Sequence, residues 1–568
     1  SQSNKNICDV QKLFYSAATQ NPTFPDHINS AGGWDRNTTA SQITPPNALQ
    51  AEKNDNRNQN FGSHLRLTAD LGYGLTAQAF GAYTYNSNEN AQFAPTWVWA
   101  QGQAWRGETK QETWLGNLSL SYHHNWNNKH NLKLTALTEY EATKTRGFWT
   151  SVKGLTTNTL GYNNLAGAVT VPYGLTGSSY DNPKLLSFMV GAEYTFLDRY
   201  TINANARVDG SSMVSKDNRW GFFPSVSLSW DVMKEKFMQE QRIFSRLLLR
   251  TGYGLTGNLG AISSYNSLNM LRPDGAVPWN GSAAVTYSLN HNVNPDLKWE
   301  TRGTFNIGAD MGFWHDRLIV TAEYYYSRTW DMLYDYDVPV PPFTYDKLLA
   351  NLGKMSNQGF EIGASITPIQ KRDMELNISM NMSFQKNKLI SLSGNYEGTY
   401  LTAADVTSIG SLNGAGFHGG NNNILYQIVG ESLGVFYLPH CTGLTKNADG
   451  TYSYAIADLD GNGRVNIEDG GDRYIAGQAT PKMFLGTNIS FRYKDFDITM
   501  QMNGAFGHKI YNGTALTYMN MSSFPDYNVM KEAPGQNIYD QTATDFWLEK
   551  GDYLNIDFKL KNPEPLMD

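Results

Sequence analysis

The segment MELNISMNMSF, residues 374–384, alternates apolar and polar side chains without interruption. Successive side chains of a β-strand point to opposite faces, whereas the 3.6-residue period of a helix would scatter the apolar ones around its surface. The apolar positions are Met374, Leu376, Ile378, Met380, Met382 and Phe384. The alternation therefore predicts a strand with one apolar and one polar face, and it constrains the fold more than any other feature of the chain.

The same period-two pattern recurs throughout the sequence. The clearest further segments are 65–71, 75–85, 118–122, 188–196, 202–208, 226–230, 305–311, 318–326, 360–366, 489–493 and 496–502. Weaker candidates lie near Leu132 and Leu247. With these the total comes to roughly fourteen strands, which predicts an all-β protein.

The connections between these segments alternate in length. The short ones are 72–74, 197–199, 315–317, 370–373 and 494–495, and the long ones are 87–113, 144–184, 256–302, 329–357, 387–483 and 507–552. Outer-membrane barrels have short turns at the periplasmic end, long extracellular loops, and strands that are apolar toward lipid and polar toward the lumen. The chain has no run of about 18 apolar residues, which a transmembrane helix would need. We therefore predict a transmembrane antiparallel β-barrel.

Period two by itself also fits a soluble β-sandwich, barrel or propeller, whose apolar faces point inward. Aromatic residues near the predicted strand ends favour the membrane, because such residues form girdles at both membrane interfaces. These residues are Tyr83, Tyr85, Tyr122, Tyr194, Phe196, Trp230, Tyr324 and Tyr326. The membrane barrel is the preferred interpretation.

The charge and the motifs of the sequence exclude several classes of function. The formal net charge of -7 and the pI of about 5.8 provide no basic surplus for binding nucleic acid. The two cysteines, Cys8 and Cys441, have no paired spacing that predicts a zinc site or a disulfide framework. The glycine-rich segment 252–258 lacks the lysine and helix of a phosphate-binding loop. We expect no enzymatic activity.

One long connection contains ADLDGNGRVNIEDGGD, residues 457–472, which has the spacing of a calcium loop. Counted from its first aspartate, the hard oxygen ligands are Asp458, Asp460, Asn462, the carbonyl of Arg464, Asn466 and Asp469, with Gly463 at the sharp turn. An aspartate at position twelve is shorter than the usual glutamate, so we expect weak affinity for a structural Ca²⁺ ion. The alternative is a turn-rich segment without metal, because Asp, Asn and Gly favour turns for their own reasons.

Phrases spread over nearly the whole chain resemble one family in their order. They are NPTFP (21–25), ARVDGSS (206–212), NRWGFFPSVSLSWDV (218–232), RTGYGLTGN (250–258), NPDLKWE (294–300), NLGKMSNQGFEI (351–362), VGESLGVFY (429–437), DLDGNG (458–463) and TPKMFLGTNISFRYKDFDI (480–498). Together they resemble the SusC/RagA group of TonB-dependent outer-membrane transporters, and the resemblance falls on the barrel of those proteins.

The resemblance implies a 22-stranded barrel with an N-terminal plug in the outer membrane. It also implies uptake of a large nutrient, an oligosaccharide or a peptide fragment, driven through TonB and assisted by a SusD-like surface lipoprotein. Outer-membrane lipid would surround the barrel, and the long loops would form the docking surface. The calcium-like loop in 387–483 would then lie on the extracellular side.

The chain departs from this pattern at both ends. By comparison with the family, we expect the plug and TonB-contacting segment before the strands to be missing, and likewise the last strands, where this sequence reads KGDYLNIDFKL and KNPEPLMD up to Asp568. With about fourteen or fifteen strands, residues 1–568 are expected to be a partial barrel domain from a longer protein. Two other interpretations remain: a passive porin or surface barrel without TonB coupling, and a secreted soluble calcium-binding β protein.

Overall fold

The computed structural model of the protein describes residues 2–6, 17–18, 52–96, 101–170, 176–411, 423–446, 448, 452–466, 470–512, 528 and 530–531. Strands account for most of these residues. Short 3-10 turns occur at Gly161–Asn163, Leu165–Gly167, Val232–Lys234 and Lys236–Met238. Within the described ranges, no helix combines the length and apolar character that crossing a membrane requires.

The strands fall into one large sheet and several small ones. The large sheet contains β1 (Gln2–Asn6), β2 (Lys53–Gly72), β3 (Leu75–Ala94), β4 (Gln103–Trp126), β5 (His130–Leu155), β6 (Ala168–Thr170), β7 (Thr176–Asp181), β8 (Lys184–Phe196), β9 (Tyr200–Ser211), β10 (Trp220–Asp231), β11 (Phe244–Asn258), β14 (Glu300–Phe313), β15 (Leu318–Asp337), β16 (Lys347–Lys371), β17 (Met374–Ser391), β26 (Met483–Tyr493) and β27 (Phe496–Phe506). The small sheets contain β12 (Leu271–Trp279), β13 (Ser282–Leu289), β18 (Ser393–Tyr396), β19 (Thr399–Thr402), β20 (Val406–Ser411), β21 (Asn423–Ile428), β22 (Val435–Leu438), β23 (Cys441–Lys446), β24 (Tyr452–Ile456) and β25 (Tyr474–Gln478).

The large sheet is an antiparallel meander. Each long strand pairs with the next long strand of the chain, from β2 to β27, while β1 pairs with β2, and β6 and β7 pair with the end of β5. Leaving out these three short strands, the seventeen-stranded sheet contains fourteen long ones. The prediction of roughly fourteen antiparallel strands is confirmed for the described residues.

The connections alternate between two edges of the sheet, as predicted. The short-turn rim carries 73–74, 127–129, 197–199, 232–243, 314–317, 372–373 and 494–495, and the long-loop rim carries 95–102, 156–183, 212–219, 259–299, 338–346 and 392–482. Asn127 and Asn128, in the turn between β4 and β5, have φ values of 51° and 54°. Positive φ at both positions is typical of tight hairpin turns, because it matches the twist of the flanking strands.

The strands extend further than the sequence pattern indicates. β3 and β4 remain paired up to Ala94 and Gln103, so their connection is 95–102 rather than the predicted 87–113. Likewise β5 continues to Leu155, into the predicted loop 144–184. Beyond the apolar band both faces of these strands carry polar side chains, so the period-two signal disappears although the backbone ladder continues.

The cross-strand register sorts the side chains of the large sheet into an apolar face and a polar face. One row on the apolar face runs across seven strands through Leu67, Ala79, Leu118, Thr138, Phe188, Val208 and Phe222. Large apolar side chains on this face are exposed, with Leu118 at 60%. The neighbouring residue Ser119 lies on the polar face, as the alternation requires.

Two aromatic rows bound the apolar band. Near the long-loop rim, the rings of Tyr83 and Trp114 lie 4.3 Å apart. Near the short-turn rim, the row in register contains Trp126, His130, Phe196, Tyr200 and Trp230. The distance along β4 from position 114 to position 126 is about 41 Å at about 3.4 Å per residue. For a strand tilted by about 35–45°, this distance spans about 29–33 Å along the bilayer normal. This matches a hydrocarbon thickness of about 30 Å.

Glu235 lies on the short-turn rim, in the connection between β10 and β11, and it stabilises this connection. Its carboxylate accepts hydrogen bonds from the Tyr200 hydroxyl at 2.5 Å and the Trp230 indole N–H at 3.2 Å, and it pairs with Arg199 at 3.3 Å. These hydrogen bonds, first that of Tyr200 and then that of Trp230, hold the pKa of Glu235 below its usual range. One side chain thereby ties the turn to two strands.

The long-loop rim has hydrophobic cores of its own. The largest joins the ends of β15, β16 and β17 with β18, β19 and the connections beside them. Its buried members are Tyr336, Val338, Leu348, Ala350, Leu389, Leu392, Tyr396, Leu401 and Ala403. Packing of this kind makes the rim an ordered structure above the membrane band.

Candidate metal centre and the polar face of the sheet

The predicted calcium loop lies in the long connection between β17 and β26, after β24 and before β25. Two glycines in it have positive φ, +72° at Gly461 and +81° at Gly463. Residues with a side chain rarely adopt this conformation, so the glycines allow the backbone to curl around the first aspartate. The turn predicted at Gly463 is present.

Asp458 is the centre of this curl. Its Oδ1 accepts hydrogen bonds from the backbone N–H groups of Gly461 at 2.8 Å and Asn462 at 3.2 Å, and its Oδ2 accepts one from Gly463 at 2.7 Å. Asp460 accepts from the N–H of Asn462 at 3.0 Å and from the Asn462 side-chain amide at 2.7 Å. Both carboxylates are therefore held in place by the loop itself.

Asp472 is the residue that the sequence spacing missed. It is only 1% exposed, and it accepts hydrogen bonds from the N–H groups of Leu459 at 2.6 Å, Asp460 at 3.2 Å and Asn466 at 2.8 Å. These bonds, with that of Asn466 the strongest influence, hold the pKa of Asp472 below its usual range. A buried carboxylate kept ionised in this way closes the loop opposite Asp458.

The structure brings Asp458, Asp460 and Asp472 together, with one oxygen atom from each within 4.8 Å of the others. Of the other predicted ligands, the side-chain oxygen of Asn462 accepts a hydrogen bond from the N–H of Arg464 at 2.8 Å. The carbonyl of Asn466 accepts one from the N–H of Asp472 at 2.6 Å. The predicted ligand Asp469 lies outside the described residues.

The chemistry of these donors fits a hard cation. Carboxylate, amide and carbonyl oxygens are the ligands that Ca²⁺ uses. The three clustered side chains offer only oxygen atoms, whereas nitrogen or sulfur donors would favour a transition metal. Three negative charges in so small a volume repel one another, and a divalent cation between them would remove that repulsion. Asp458 and Asp460 are exposed, which leaves the site open to solvent.

The residue after Asp472 connects the loop to a small sheet. Arg473 is 6% exposed, and its guanidinium donates hydrogen bonds to the Tyr426 hydroxyl at 2.6 Å and the Tyr437 carbonyl at 3.1 Å. It also lies over the Tyr426 ring at 5.3 Å from the centroid. Tyr426 belongs to β21 and Tyr437 to β22, so one arginine fixes two strands of the sheet beside the loop.

The polar face of the large sheet carries charged networks. Glu323 and Glu361 are directly opposite each other on β15 and β16. Arg250 forms ion pairs with Glu323 and with Asp310, the latter at 3.5 Å. Asn306 donates to Glu323 at 3.1 Å. Ion pairs of this kind keep a polar face hydrated and fixed while the opposite face remains apolar.

A second network lies further along the same face. Arg207 donates to Asp209 at 2.7 Å and to Glu139 at 3.2 Å, linking β9 to β5 across β8. The asparagines Asn377 and Asn381 lie on the polar face of β17, and the amide of Asn377 donates to Glu375 at 2.7 Å. By the register, Glu323, Glu361, Asn377 and Asn381 share one polar face.

Comparison with known proteins identifies the family to which the chain belongs. The family described as "TonB dependent receptor-like, beta-barrel" matches residues 9–467. TonB-dependent receptor P3 of Formosa agariphila is 28% identical over 572 residues, which cover 95% of this chain and 55% of that protein. TonB-dependent receptor SusC of Bacteroides thetaiotaomicron is 29% identical over 342 residues, covering 60% of this chain and 33% of SusC. The chain thus spans about half the length of receptor P3 and about a third of SusC.

Among solved structures, that of the RagAB peptide transporter superimposes with a TM-score of 0.68 and 21% identity, covering 87% of this chain and 52% of the matched chain. The RagAB peptide importer in its closed-closed state gives a TM-score of 0.69 at 20% identity, covering 88% of this chain and 54% of the matched chain. These likenesses show the same fold. The predicted antiparallel barrel architecture is confirmed.

Proposed function

The chain belongs to the family of TonB-dependent receptor-like β-barrels, and from this premise we propose that it takes part in the TonB-dependent import of a large nutrient, a glycan or peptide fragment. Proteins of this family lie in the outer membrane, and they are receptors and transporters rather than enzymes. The apolar band about 30 Å high therefore faces lipid. The long-loop rim is the extracellular side, because barrels of this kind keep their short turns in the periplasm.

The observation that carries the proposal is the two-faced sheet with one elaborate rim. A polar face with fixed networks such as Arg250–Glu323 supplies a hydrated inner wall, while the opposite face meets lipid. The described long connections, six in number, all leave from the same edge, and the largest of them contains several small sheets. Loops placed on a rigid scaffold are where binding functions concentrate.

We further propose that a SusD-like lipoprotein docks on the long-loop rim and that TonB supplies the energy. The buried cluster around Leu348 and Leu389 supports this, because it gives the rim a fixed shape that a partner protein can recognise. One relative in the comparison is SusC, and one similar structure is the RagAB peptide transporter. The similarity to these two proteins is the basis for proposing the lipoprotein and TonB as partners.

Uptake measurements test this function. Cells with the full-length gene deleted, cells lacking TonB and unaltered cells are supplied with labelled oligosaccharides and, separately, labelled peptides. We expect uptake of one substrate class to disappear in both deletions. Uptake that needs the gene but persists without TonB would identify a passive porin, and unchanged uptake of both classes would contradict a role in import.

Partner capture tests the lipoprotein. The full-length protein carrying an affinity tag is solubilised in a non-ionic detergent and purified, and co-purifying proteins are identified by mass spectrometry. We expect one surface lipoprotein in stoichiometric amount. Purification of the barrel protein without any surface lipoprotein would contradict the docking proposal.

We also propose that the loop 458–472 binds one Ca²⁺ ion through Asp458, Asp460 and Asp472. The support is the convergence of their three carboxylates within 4.8 Å, on a loop whose backbone N–H groups already orient them. When bound, the ion would supply charge neutralisation and fix the loop on the extracellular rim. Calcium titration of the full-length protein and of single-carboxylate variants tests this.

A further inference from the structure

Above the membrane band, the polar face of β2, β3, β4, β5 and β7 carries an ordered array of amide, hydroxyl and indole groups. Residues directly opposite each other on neighbouring strands have their side chains on the same face, so the register defines four rows. The rows are Asn60, Asn86, Gln111, Thr145 and Asp181; Asn58, Asn88, Thr109, Gly147 and Ser179; Asn56, Asn90, Gly107, Trp149 and Gly177; and Asn54, Gln92, Trp105 and Ser151. We call this surface the amide wall. It continues the face of Ser119, because Gln111 and Ser119 are an even number of residues apart on β4.

Charge distinguishes the two faces of these strands. Among the four rows Asp181 is the one charged residue, and the next row toward the rim contains Lys153. The interleaved rows on the opposite face contain Lys53, Asp55, Arg57, Glu89, Arg106, Glu108, Lys110 and Arg146. Hydration alone does not require a neutral wall, since Arg207 and Arg250 form charged networks on the polar face within the membrane band. The composition of the amide wall therefore indicates a polar ligand without charge.

The amides hold one another in fixed positions. The side-chain amide of Asn88 donates hydrogen bonds to the side-chain oxygens of Asn56, at 3.3 Å, and Asn58. That of Asn90 donates to the side-chain oxygen of Asn54 at 3.4 Å. An amide has two N–H donors and an oxygen that accepts twice, so donors and acceptors alternate over the wall. A sugar hydroxyl both donates and accepts, and such a surface satisfies both roles. Several members of the wall are exposed, namely Asn60, Asn88, Gln92, Thr109 and Ser179.

Two indole rings lie against glycines of the same wall. Trp149 is 37% exposed, and its ring lies over Gly177, where an added Cβ would come within 2.4 Å of the ring atom Cζ2. The ring of Trp105 lies in the same way over Gly107, with Cη2 at 2.4 Å from such a Cβ. Glycine at both positions leaves room for an indole to rest on the sheet. Aromatic faces attract the positive edges of C–H groups, and a sugar ring presents C–H groups on its flat sides.

The amide wall lies outside the membrane and is large enough for an extended ligand. Asn86 and Gln92 are three and nine residues beyond Tyr83 of the aromatic row. At about 3.4 Å per residue and a strand tilt of about 40°, they lie about 8 Å and about 23 Å above that row. Five strands about 4.8 Å apart make the wall about 19 Å wide. A ligand entering from the extracellular side would meet this surface before it reaches the membrane band.

We propose that the amide wall binds a neutral oligosaccharide. The amides of β2 and β3 form hydrogen bonds with its hydroxyls, and Trp105 and Trp149 stack on its rings. The inference rests on the proposed import function, and it selects the glycan rather than the peptide as the substrate class. A peptide has charged termini and charged side chains, and these would lose hydration on a wall where Asp181 is the one countercharge.

Binding measurements test the substrate class. The full-length protein, purified from cells in a non-ionic detergent, is applied to arrays of three kinds of probe. These are neutral gluco-, manno-, galacto- and xylo-oligosaccharides, oligosaccharides that bear uronates, and peptides of comparable length. We expect binding to a neutral class, and little to the uronates or the peptides. Preference for uronates or peptides, or binding to none of the probes, would overturn the proposal.

Variants on the two faces of the same strands locate the site. Trp149→Ala removes a stacking surface and should lower the affinity for the neutral oligosaccharide about tenfold. Asn88→Asp keeps the shape of the side chain but removes its N–H donors, so it should lower the affinity about fivefold. The matched controls are Phe148→Ala and Gln59→Glu, on β5 and β2, whose side chains belong to the opposite face. They should leave the affinity unchanged.

Thermal unfolding identifies any variant that does not fold, and Asn88→Asp carries the test if Trp149→Ala fails this check. Losses in W149A and N88D no larger than in F148A and Q59E would overturn the proposal. Uptake by cells separates it from the import function. TonB-dependent uptake of peptides but not of neutral oligosaccharides would overturn the assignment of the amide wall and leave the import function in place, whereas uptake of neither class would overturn both.

Discussion

Replacing Asp472 by Asn should weaken calcium binding strongly. Two carboxylate oxygens no more than 4.8 Å apart repel by at least about 0.9 kcal/mol in water, so the three pairs together give at least about 2.6 kcal/mol of repulsion that a cation removes. The substitution deletes one charged ligand and two of the three repulsions. It also leaves a single acceptor oxygen in place of the two that receive the N–H groups of Leu459 and Asn466.

For D472N we expect a loss of affinity between about tenfold and about a hundredfold, or about 1.4 to 2.7 kcal/mol. Extracellular calcium modules have dissociation constants of about 10⁻⁴ to 10⁻³ M, so the unaltered site should lie in that range. The assay is isothermal titration of calcium chloride into the full-length protein in detergent, after treatment with a chelator.

Two single variants sharpen the result. Asp405→Asn is the control, because Asp405 is an exposed carboxylate of the same long connection outside the cluster, and it should bind calcium as the unaltered protein does. Asp469→Asn tests the ligand that the twelve-residue spacing predicted. If D469N loses binding while D472N keeps it, the ligand set drawn from the structure is wrong. If the unaltered protein takes up no calcium at millimolar concentration, the loop is a metal-free turn.

Three further outcomes follow from packing, pH and membrane depth. Leu389→Ala empties a fully buried site on the long-loop rim and should lower the free energy of opening there by about 2–5 kcal/mol, measured by native-state hydrogen exchange. The pKa of Glu235 is lowered in the folded protein, so its carboxylate contributes to stability at pH values above the ordinary carboxyl range, and this contribution is lost as the pH falls through the lowered pKa. The thermal unfolding temperature of E235Q should therefore depend less on acidic pH than that of the unaltered protein. Leu118→Arg should destabilise folding into lipid vesicles by about 2 kcal/mol, whereas Ser119→Arg on the polar face should cost less than about 0.5 kcal/mol, measured by urea titration.

The sequence predicts the strands well where one face meets lipid. Within the membrane band the solvent differs between the two faces, so the alternation in segments such as 374–384 follows directly from burial. Beyond the band both faces meet water. There the segment from Lys53 to Asn60 remains in strand β2 because it pairs with β3, from Lys53↔Phe93 to Asn60↔Asn86. Pairing of this kind depends on the neighbouring strand, so the sequence of the segment itself does not indicate it.

The candidate metal site shows the same limit. Asp458 and Asp460 are detected by spacing, since a loop that wraps an ion must offer ligands at alternate positions. Asp472 lies beyond the twelve-residue window, and it joins the others because its own N–H donates to the Asn466 carbonyl at 2.6 Å. Its carboxylate then turns back toward Leu459. The folded chain, rather than the interval in sequence, determines this ligand.

Asp472 and Arg473 are neighbours in the chain, and their side chains bind different parts of the rim. The carboxylate of Asp472 is directed into the loop, while the guanidinium of Arg473 lies against Tyr426 and the carbonyl of Tyr437. A cation that fixes Asp472 would therefore also fix the backbone from which Arg473 extends, and through it β21 and β22. Since loops of the rim are where a partner would dock, calcium at this loop would act on the docking surface by ordering it rather than by touching the partner.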